Sequence, residues 1–332
     1  MNEQPKILVV GSFVMDQIAV TKVFPRQGQT VLGEDFRKAP GGKGANQAVQ
    51  AARLGADVTM VGMLGRDGNG EELLAACQKA GIHTEHVLID DKTPSGCAVI
   101  LLEEAEDGSA QNRILVIPGS NLKITPDKIA FLKDTIDKYD LVILQLEIPM
   151  ETNVAVAKYA FDKGVPVMLN SAPSAPLPDE LLRCLTYISP NEHEAEDLTG
   201  IRIRHEGRKF SMEDASAAAL ALRKKGIRNV LITLGSAGAV LFNEAGQFFS
   251  PSVDRVSAVD PTAAGDSFVA AFCTGCCRGW GWEEILRFAN HTAAITVSRM
   301  GAMPSLPCLA EVEAFLPEGQ RPDTSLLKKR SV

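Results

Sequence analysis

A single carboxylate stands among small residues in the segment DPTAAGDSF, residues 260–268. Asp266 follows Ala263, Ala264 and Gly265, and the apolar stretch VAAFCTGCC after it predicts a helix. Small residues let backbone N–H groups approach an oxyanion, and the free N–H groups and dipole of a helix N-terminus favour negative charge. A phosphoryl group in transfer fits such a cradle, and Asp266 would then orient an attacking hydroxyl and accept its proton. The alternative is a turn in which Asp266 only caps the helix.

A second glycine-rich segment, PGGKGANQAV at residues 40–49, leads into another predicted helix. Gly42, Lys43 and Asn46 bring backbone and side-chain polar groups together, which suits a ligand that carries hydroxyl groups. The segment is not a Walker phosphate loop, because that loop needs Ser or Thr after its Lys, and here Gly44 follows Lys43. The alternative is a flexible turn between a strand and a helix.

Two carboxylates stand at the ends of predicted strands. Asp16 follows the first strand in GSFVMD, and Glu147 ends the strand LVILQLE. Doubly wound sheets place ligand-contacting loops at the carboxyl ends of their strands, which makes Asp16 a candidate ligand contact. The alternatives are a helix cap for Asp16 and simple solvent exposure for Glu147.

Two further segments have the character of phosphate and nucleotide contacts. Asn191 and Glu194 have the i, i+3 spacing that places both on one side of a turn, suited to orienting magnesium-bound water and phosphate oxygens. Helix capping by Asn191 is the alternative. The segment TLGSAG, Thr233 to Gly238, follows a strand and has small residues against which a nucleotide could lie.

No GxGxxG follows the first strand, which argues against a dinucleotide-dependent oxidoreductase.

Apolar runs and helical patterns alternate along the chain and predict the elements that position these residues. We expect a three-layer αβα sandwich with a mostly parallel, doubly wound sheet, because strands this uniformly apolar are covered on both faces. The predicted strands are KILVVGS, DVTMVGML, LVILQLE, VPVMLN and NVLITLG, and the helical patterns include GANQAVQAARLG, EELLAACQKAG and DASAAALALRKKG.

Two regions break this alternation, residues 13–38 and residues 95–117. Both are rich in strand-type residues, lack helices and lie near the glycine motifs, and each has the pattern of antiparallel strands. In the second region, GCAVILLEE and RILVIPG flank the acidic stretch AEDGSAQN. We expect a small sheet that forms a lid on a single domain spanning residues 1–332. A plain surface hairpin is the alternative.

The composition excludes several classes of protein. The 332 residues are 45% apolar and 23% charged, which is typical of a globular protein. The net charge of -7 argues against nucleic acid or an acidic membrane as partner and favours a small molecule. The seven Cys show no disulfide framework, which indicates a reducing cytoplasm. The start MNEQPKILVVGS does not have the pattern of a signal peptide, and no apolar run has the length of a membrane span.

In their order along the chain, GSFVMD, PGGKGANQAV, QLE, PNEHE, TLGSAG and DPTAAGDSF resemble the motifs of the PfkB-type (ribokinase-like) carbohydrate kinases, and the likeness runs from about Lys6 to Leu316. The resemblance implies ATP and Mg²⁺, with Asp266 as catalytic base and residues 263–265 as anion hole. The implied sugar contacts are Val14, Asp16, Gly42, Lys43, Asn46, Glu147 and Asp266. The implied ATP contacts are Asn191, Thr233, Leu234, Gly235, Ser236, Gly238, Gly265 and Asn290, with Glu194 organising magnesium.

The resemblance also implies a monovalent cation, K⁺, beside the anion hole, and a homodimer formed through the lid. The matching cation positions are Asp260, Thr262, Thr296, Arg299, Gly301 and Ser305. Pro261 stands where these kinases often carry Thr. It is expected to stiffen the loop while still offering its carbonyl.

Val14 is the main departure from the family pattern, because the ribose-phosphorylating members carry Asn there, in a GSxNxD motif. A Val side chain cannot hydrogen-bond a sugar hydroxyl. A hydroxyl that faces it would be left unpaired, at a cost of roughly 1 to 3 kcal/mol in binding free energy. We expect transfer to the 5-hydroxyl of a pentose, with D-ribose first. The alternatives are deoxyribose, whose kinases carry Met at this position, or another sugar, and a sugar-binding regulator that has kept the fold without catalysis.

Overall fold

The computed structural model describes residues 4–104 and 110–327. The strands are β1 (Lys6–Val10), β2 (Val14–Thr21), β3 (Asp35–Gly41), β4 (Asp57–Gly65), β5 (Val87–Asp90), β6 (Cys97–Glu104), β7 (Ala110–Ile117), β8 (Leu141–Leu144), β9 (Val167–Asn170), β10 (Tyr187–Ser189), β11 (His205–Glu206), β12 (Lys209–Phe210), β13 (Asn229–Thr233), β14 (Ala239–Asn243) and β15 (Gly246–Ser250). The α-helices are α1 (Lys43–Arg53), α2 (Gly68–Lys79), α3 (Met150–Asp162), α4 (Asp179–Leu182), α5 (Glu192–Thr199), α6 (Met212–Lys224), α7 (Ala264–Arg278), α8 (Trp282–Val297) and α9 (Leu309–Phe315). Short 3₁₀ turns cover Gly119–Lys123, Pro126–Asp134, Ile136–Lys138, Gly235–Ala237 and Met303–Ser305.

The large sheet has the strand order β15-β14-β13-β10-β9-β8-β1-β4-β5. The strands from β13 to β5 pair in parallel, and β14 and β15 add an antiparallel edge. In the central strand, Leu8 lies between Thr59 of β4 and Val142 of β8. This arrangement confirms the predicted mostly parallel, doubly wound sheet.

Helices cover both faces of the sheet and bury a separate apolar core on each. Ile7 and Val9 of β1 face the core under α1, α7 and α8, whereas Leu8 and Val10 face the core under α3 and α6. All four side chains are fully buried. A strand buried on both faces needs apolar residues throughout, which is why β1 has no polar alternation.

The second sheet, which we call the lid, has the order β3-β2-β6-β7. The pairs β2–β3 and β6–β7 are antiparallel, as their sequences indicate, but β2 and β6 join in parallel, with Asp16 opposite Ala98. Residues 105–109 of the stretch AEDGSAQN lie outside the described residues. The boundaries of the lid, and its assignment to one domain, stay predictions.

Helix α7 begins at Ala264, five residues before the apolar stretch that indicated it. Ala263 takes a left-handed backbone conformation, with φ of 61°, and its carbonyl accepts from the N–H of Ser267 at 2.8 Å. Asp266 therefore lies in the first turn of the helix rather than ahead of it. Among residues 4–104 and 110–327, no helix is both long and apolar enough to cross a membrane.

Candidate active site

A cavity of about 440 Å³ lies where the large sheet meets the lid. Asn170, Ser189 and Thr233, the last residues of three neighbouring strands, line it, so it opens at the carboxyl end of the sheet. The predicted site residues in its wall are Val14, Asp16, Gly42, Lys43, Asn46, Glu147, Asn191, Glu194, Thr233, Thr262, Ala263, Gly265 and Asp266. The lid adds an apolar wall of Ala98, Ile100, Ile114 and Val116.

Asp266 is 6% exposed and is held by two side-chain amides from α1. Asn46 Nδ2 donates to its Oδ2 at 2.9 Å, and Gln47 Nε2 donates to its Oδ1 at 2.9 Å. Each carboxylate oxygen thus has one lone pair engaged and keeps acceptor capacity. A buried, oriented acceptor in the wall of a cavity can take a proton from a bound hydroxyl.

The residues before Asp266 lie at the start of α7, where the sequence predicts a cradle for an anion. The N–H of Ala264 donates to the carbonyl of Pro261 at 3.2 Å and is used by that turn. The N–H groups of Gly265 and Asp266 have no main-chain acceptor among the described residues, as expected in the first turn of a helix. A Cβ added at Gly265 would meet no atom within 4 Å, so the space above this residue is open. These two N–H groups are the ones available to an anion.

The first turn of α1 is anchored by a carboxylate from a distant strand end. Glu147 Oε2 accepts from Lys43 N at 3.0 Å and from Ser12 Oγ at 2.5 Å, and Ser12 Oγ accepts from Gly44 N at 3.2 Å. A carboxylate at a helix N-terminus is favoured by the helix dipole, and it pairs N–H groups that the helix leaves free. Glu147 is half-buried and bound, rather than simply exposed to solvent.

The glycines of this segment are required by close packing. Gly42 has φ of 92°, and a Cβ there would lie 2.6 Å from Val14 N. A Cβ at Gly44 would lie 2.4 Å from Ser12 N. The turn is therefore tightly packed against the strand that carries Val14, not flexible.

The charged side chains in the cavity shift one another's pKa values. The pKa of Asp16 is raised to about 6, mainly by burial and also by the neighbouring carboxylates of Glu147 and Asp260. Burial lowers the pKa of Lys43, but the carboxylates of Asp266, Glu147 and Glu194 outweigh it and raise that pKa above its ordinary value. Lys43 is therefore a cation at neutral pH, next to the carboxylate that would act as base.

Asn191 and Glu194 form a capping box at the start of α5, and both also line the cavity. Glu194 N donates to Asn191 Oδ1 at 2.9 Å, and Asn191 N donates to Glu194 Oε2 at 3.0 Å. Burial raises the pKa of Glu194, which the hydrogen bond from Asn191 and the charge of Lys43 partly offset. The structural role and the predicted site role thus fall on the same two residues.

Several predicted nucleotide contacts lie outside this cavity. Leu234 is 2% exposed and packs in the core, so only its backbone can meet a ligand. Gly238 is needed because a Cβ there would lie 2.2 Å from Ser250 O, whereas Gly235 has open space around it. Asn290 Nδ2 donates to the carbonyl of Ser250 at 2.9 Å.

Ser250 lines a second cavity, which has a volume of about 530 Å³. Ser252, also in its wall, donates through its hydroxyl to Ser236 O at 2.5 Å. Asn290 and Ser236 therefore hold the wall of this second cavity.

The predicted cation positions are joined by Asp260, which links two loops. Its Oδ1 accepts from Thr262 N at 2.9 Å, and its Oδ2 accepts from Gly301 N at 2.8 Å. Burial raises the pKa of Asp260, but these hydrogen bonds outweigh it, so the pKa lies below the ordinary value. The resulting anionic loop beside the cradle fits a monovalent cation.

The remaining cation positions have local partners. Arg299 N donates to Thr296 O at 3.1 Å, and its guanidinium bonds Glu311. Ser305 Oγ donates to Ala302 O at 2.7 Å. The Arg299 and Ser305 side chains are thus engaged within the protein, which leaves the backbone carbonyls of these positions as candidate cation ligands.

The site residues that were not among the sequence predictions include Ser12, Gln47, Gln145, Asn170 and Ser189. Ser12 and Gln145 stand in the same motifs as Asp16 and Glu147, and Gln47 follows Asn46 directly. Gln145 precedes Glu147 by two residues, a spacing that could have singled it out. Asn170 ends the strand VPVMLN, where ligand contacts are expected.

The chain matches the pfkB family carbohydrate kinase model over residues 4–308. The ribokinase of Bacillus subtilis strain 168 is 39% identical over 310 residues, which cover 93% of this chain and 99% of the relative. The deoxyribokinase of Salmonella typhi is 32% identical over 311 residues, covering 93% and 98%. The solved structure of Arabidopsis thaliana ribokinase complexed with ribose and ATP has a TM-score of 0.84 at 33% identity, covering 94% of this chain and 98% of that chain. With its motifs, fold and cavity in agreement with these matches, the chain belongs to the pfkB family of carbohydrate kinases.

Proposed function

We propose that this kinase transfers the γ-phosphoryl group of ATP to the 5-hydroxyl of D-ribose. The observation that carries the proposal is the buried Asp266 carboxylate beside the free N–H groups of Gly265 and Asp266, all at one cavity wall. The relatives that are ribokinases, and the solved ribokinase that binds ribose and ATP, support this choice of substrates.

In this reaction Asp266 accepts the proton of the sugar hydroxyl as its oxygen attacks the phosphorus atom. The N–H groups of Gly265 and Asp266 donate to the oxygens of the moving phosphoryl group, and the Lys43 cation balances their charge. Asp16, Asn46 and Glu147 hold the other sugar hydroxyls, since all three polar residues line the same cavity.

Mg²⁺ fits the side of the cavity that carries Glu194, because a hard cation takes carboxylate oxygens, water and phosphate oxygens. Among the described residues no group of three or more His, Cys, Asp or Glu could hold a metal, so ATP itself would supply ligands. When bound, Mg²⁺ neutralises charge on the phosphates of ATP. K⁺ fits the loop around Asp260, where Thr262, Thr296, Arg299, Gly301 and Ser305 would contribute oxygens.

Val14 is the residue that bears on the choice of sugar. It is 5% exposed, lines the cavity and stands on the same face of β2 as Asp16. An apolar side chain beside a sugar-binding carboxylate favours a sugar that lacks one hydroxyl. Deoxyribose is therefore the second candidate, and a deoxyribokinase is among the relatives.

A homodimer through the lid is part of the proposal. The lid face opposite the cavity exposes Phe36, Val99 and Leu115, which are 61%, 37% and 63% exposed. Val99 and Leu115 are direct cross-strand neighbours, so the apolar surface is continuous. Light scattering of the purified protein should give twice the chain mass, and Leu115→Glu should reduce it to the monomer.

ATP-dependent ADP release with Mg²⁺ and K⁺ tests the activity, comparing D-ribose, 2-deoxy-D-ribose, other pentoses, fructose and nucleosides. Ribose should give the highest kcat/KM, and omission of either cation should lower it. Asp266→Asn should reduce kcat about 10²- to 10⁴-fold with sugar binding retained. Near-normal turnover of that variant would remove Asp266 from the base role. No turnover of any sugar would favour a sugar-binding regulator.

A further inference from the structure

Behind Asp266 the structure contains a chain of buried side-chain amides. Gln47 and Gln145 are both fully buried. Gln47 Nε2 donates to Asp266 Oδ1 at 2.9 Å and to Asn170 Oδ1 at 3.1 Å, and Gln47 Oε1 accepts from Gln145 Nε2 at 2.6 Å. The chain thus links the carboxylate on α7 to the ends of β8 and β9 through α1.

These contacts leave the Gln47 amide only one orientation. Both of its N–H groups point at acceptors, and its oxygen points at a donor. Rotation of the amide by a half-turn would place its oxygen against Asp266 and Asn170 and its N–H groups against the donor of Gln145. A buried arrangement without hydrogen bonds is costly, so the amide is locked.

Gln145 itself lies in a space that a glycine keeps open. A Cβ added at Gly11 would lie 2.0 Å from Gln145 Oε1, so any larger residue at position 11 would displace this side chain. Asn153 Nδ2 donates to the backbone carbonyl of Gln145 at 2.8 Å and holds that residue from the other side. The support for Gln47 is therefore built into the main sheet.

The two amides that bond Asp266 differ in one respect. Asn46 lines the cavity, where a bound sugar can compete for its amide, whereas Gln47 does not line it. Gln47 is thus the donor that stays with Asp266 when substrate occupies the cavity. A carboxylate with one oxygen held this way keeps its free lone pairs aimed at the incoming hydroxyl.

We propose that Gln47 is a positioning residue for the catalytic base, with Gln145 holding Gln47 in the required orientation. This inference rests on the proposed function, in which Asp266 is the base. Gln47 acts through Asp266 and touches neither the sugar nor the phosphoryl group.

The test compares Gln47→Leu with Gln50→Leu. Gln50 is one turn further along α1, is equally buried, and donates to Pro307 O at 2.9 Å, away from Asp266. Both variants lose one buried amide from the same helix, so they share the structural cost. Gln47→Leu should lower kcat about 10- to 100-fold with KM for ribose within about threefold of the parent. Gln50→Leu should keep kcat within about threefold at a similar loss of thermal stability.

The pH dependence of kcat gives a second readout. Loss of a hydrogen bond to the ionised carboxylate disfavours that form, so the acidic limb of the profile should move to higher pH in Gln47→Leu. The charged groups around the carboxylate, Lys43, Glu147, Asp16 and Glu194, are the same in both variants. Gln50→Leu should therefore keep the parent profile.

Gln47→Glu tests the proposal if Gln47→Leu does not fold, because Glu has the same size. It replaces a donor by an oxygen that faces Asp266, and kcat should fall at least as far as in Gln47→Leu. Parent-like kcat in either Gln47 variant, or equal losses in Gln47→Leu and Gln50→Leu, would overturn the positioning role. If Asp266→Asn itself retains turnover, the proposed base role fails instead, so the two failures are distinguishable.

Discussion

Asp16→Asn is expected to make the protein more stable at neutral pH while it impairs sugar binding. Burial, together with the charges of the Glu147 and Asp260 carboxylates, raises the pKa of Asp16 to about 6. No hydrogen bond among the described residues offsets this rise. The folded protein therefore bears a cost whenever Asp16 is ionised, and a neutral amide of the same size does not.

The magnitude follows from the difference between an ordinary Asp pKa of 3.8 and a folded value of about 6. This difference corresponds to about 3 kcal/mol in the free energy of unfolding. Between these two pH values the folded state binds more protons than the unfolded state. The favourable contribution of protonated Asp16 is thus complete below pH 3.8 and is lost as the pH rises through about 6.

Urea unfolding of the parent and of Asp16→Asn at several pH values between 4 and 7.5 measures this difference. The advantage of the variant should grow by about 2.5 kcal/mol between pH 4 and 7.5, because pH 4 already lies slightly above the ordinary pKa of 3.8. Asp35→Asn, which removes an exposed carboxylate on the neighbouring strand β3, is the control for the loss of one negative charge from the lid. An Asp16→Asn advantage that does not grow between pH 4 and 7 would refute the reasoning.

Two further substitutions test the start of α7 and the part of the cavity wall that carries Val14. Gly265→Ala adds a methyl group where no atom lies within 4 Å, so the fold should be kept, while kcat should fall at least about tenfold because that space is needed by the phosphoryl group. Unchanged kcat would place the phosphoryl group elsewhere. Val14→Asn introduces a hydrogen-bonding side chain into the cavity wall beside Asp16. It should raise the ratio of kcat/KM for ribose to kcat/KM for deoxyribose by about 5- to 150-fold, which corresponds to roughly 1 to 3 kcal/mol. An unchanged ratio in this sugar-competition assay would show that Val14 does not contact the distinguishing hydroxyl.

The elements of the main domain could be predicted because their signals are local. The run KILVVGS is apolar throughout, and β1 is buried on both faces, as such a run requires. The start of α7 was placed too late, since Ala264 to Asp266 are helical without being part of an apolar pattern. The parallel pairing of β2 with β6 also escaped prediction, because it joins strands separated by most of the first 100 residues.

The residues of the candidate site likewise include some that local motifs predict and others that depend on contacts between distant segments. Motif spacing identified Asp266, Lys43, Asn46 and Glu147, which the structure brings to one cavity. Gln47 carried no separate signal, because an amide next to Asn46 on a helix has many possible partners. Its bond to Asp266 joins residues 219 positions apart and exists only once α1 packs on α7.

By itself, the sequence determined the α/β class, the lid strands and the chemistry of a carboxylate beside an anion cradle, because these depend on residue type and on spacing within a few residues. Only the tertiary structure decided which N–H groups at the start of α7 stay free, which carboxylate has its pKa raised and which amides hold Asp266. Those properties depend on burial and on contacts between distant segments, and neither is a property of neighbours along the chain.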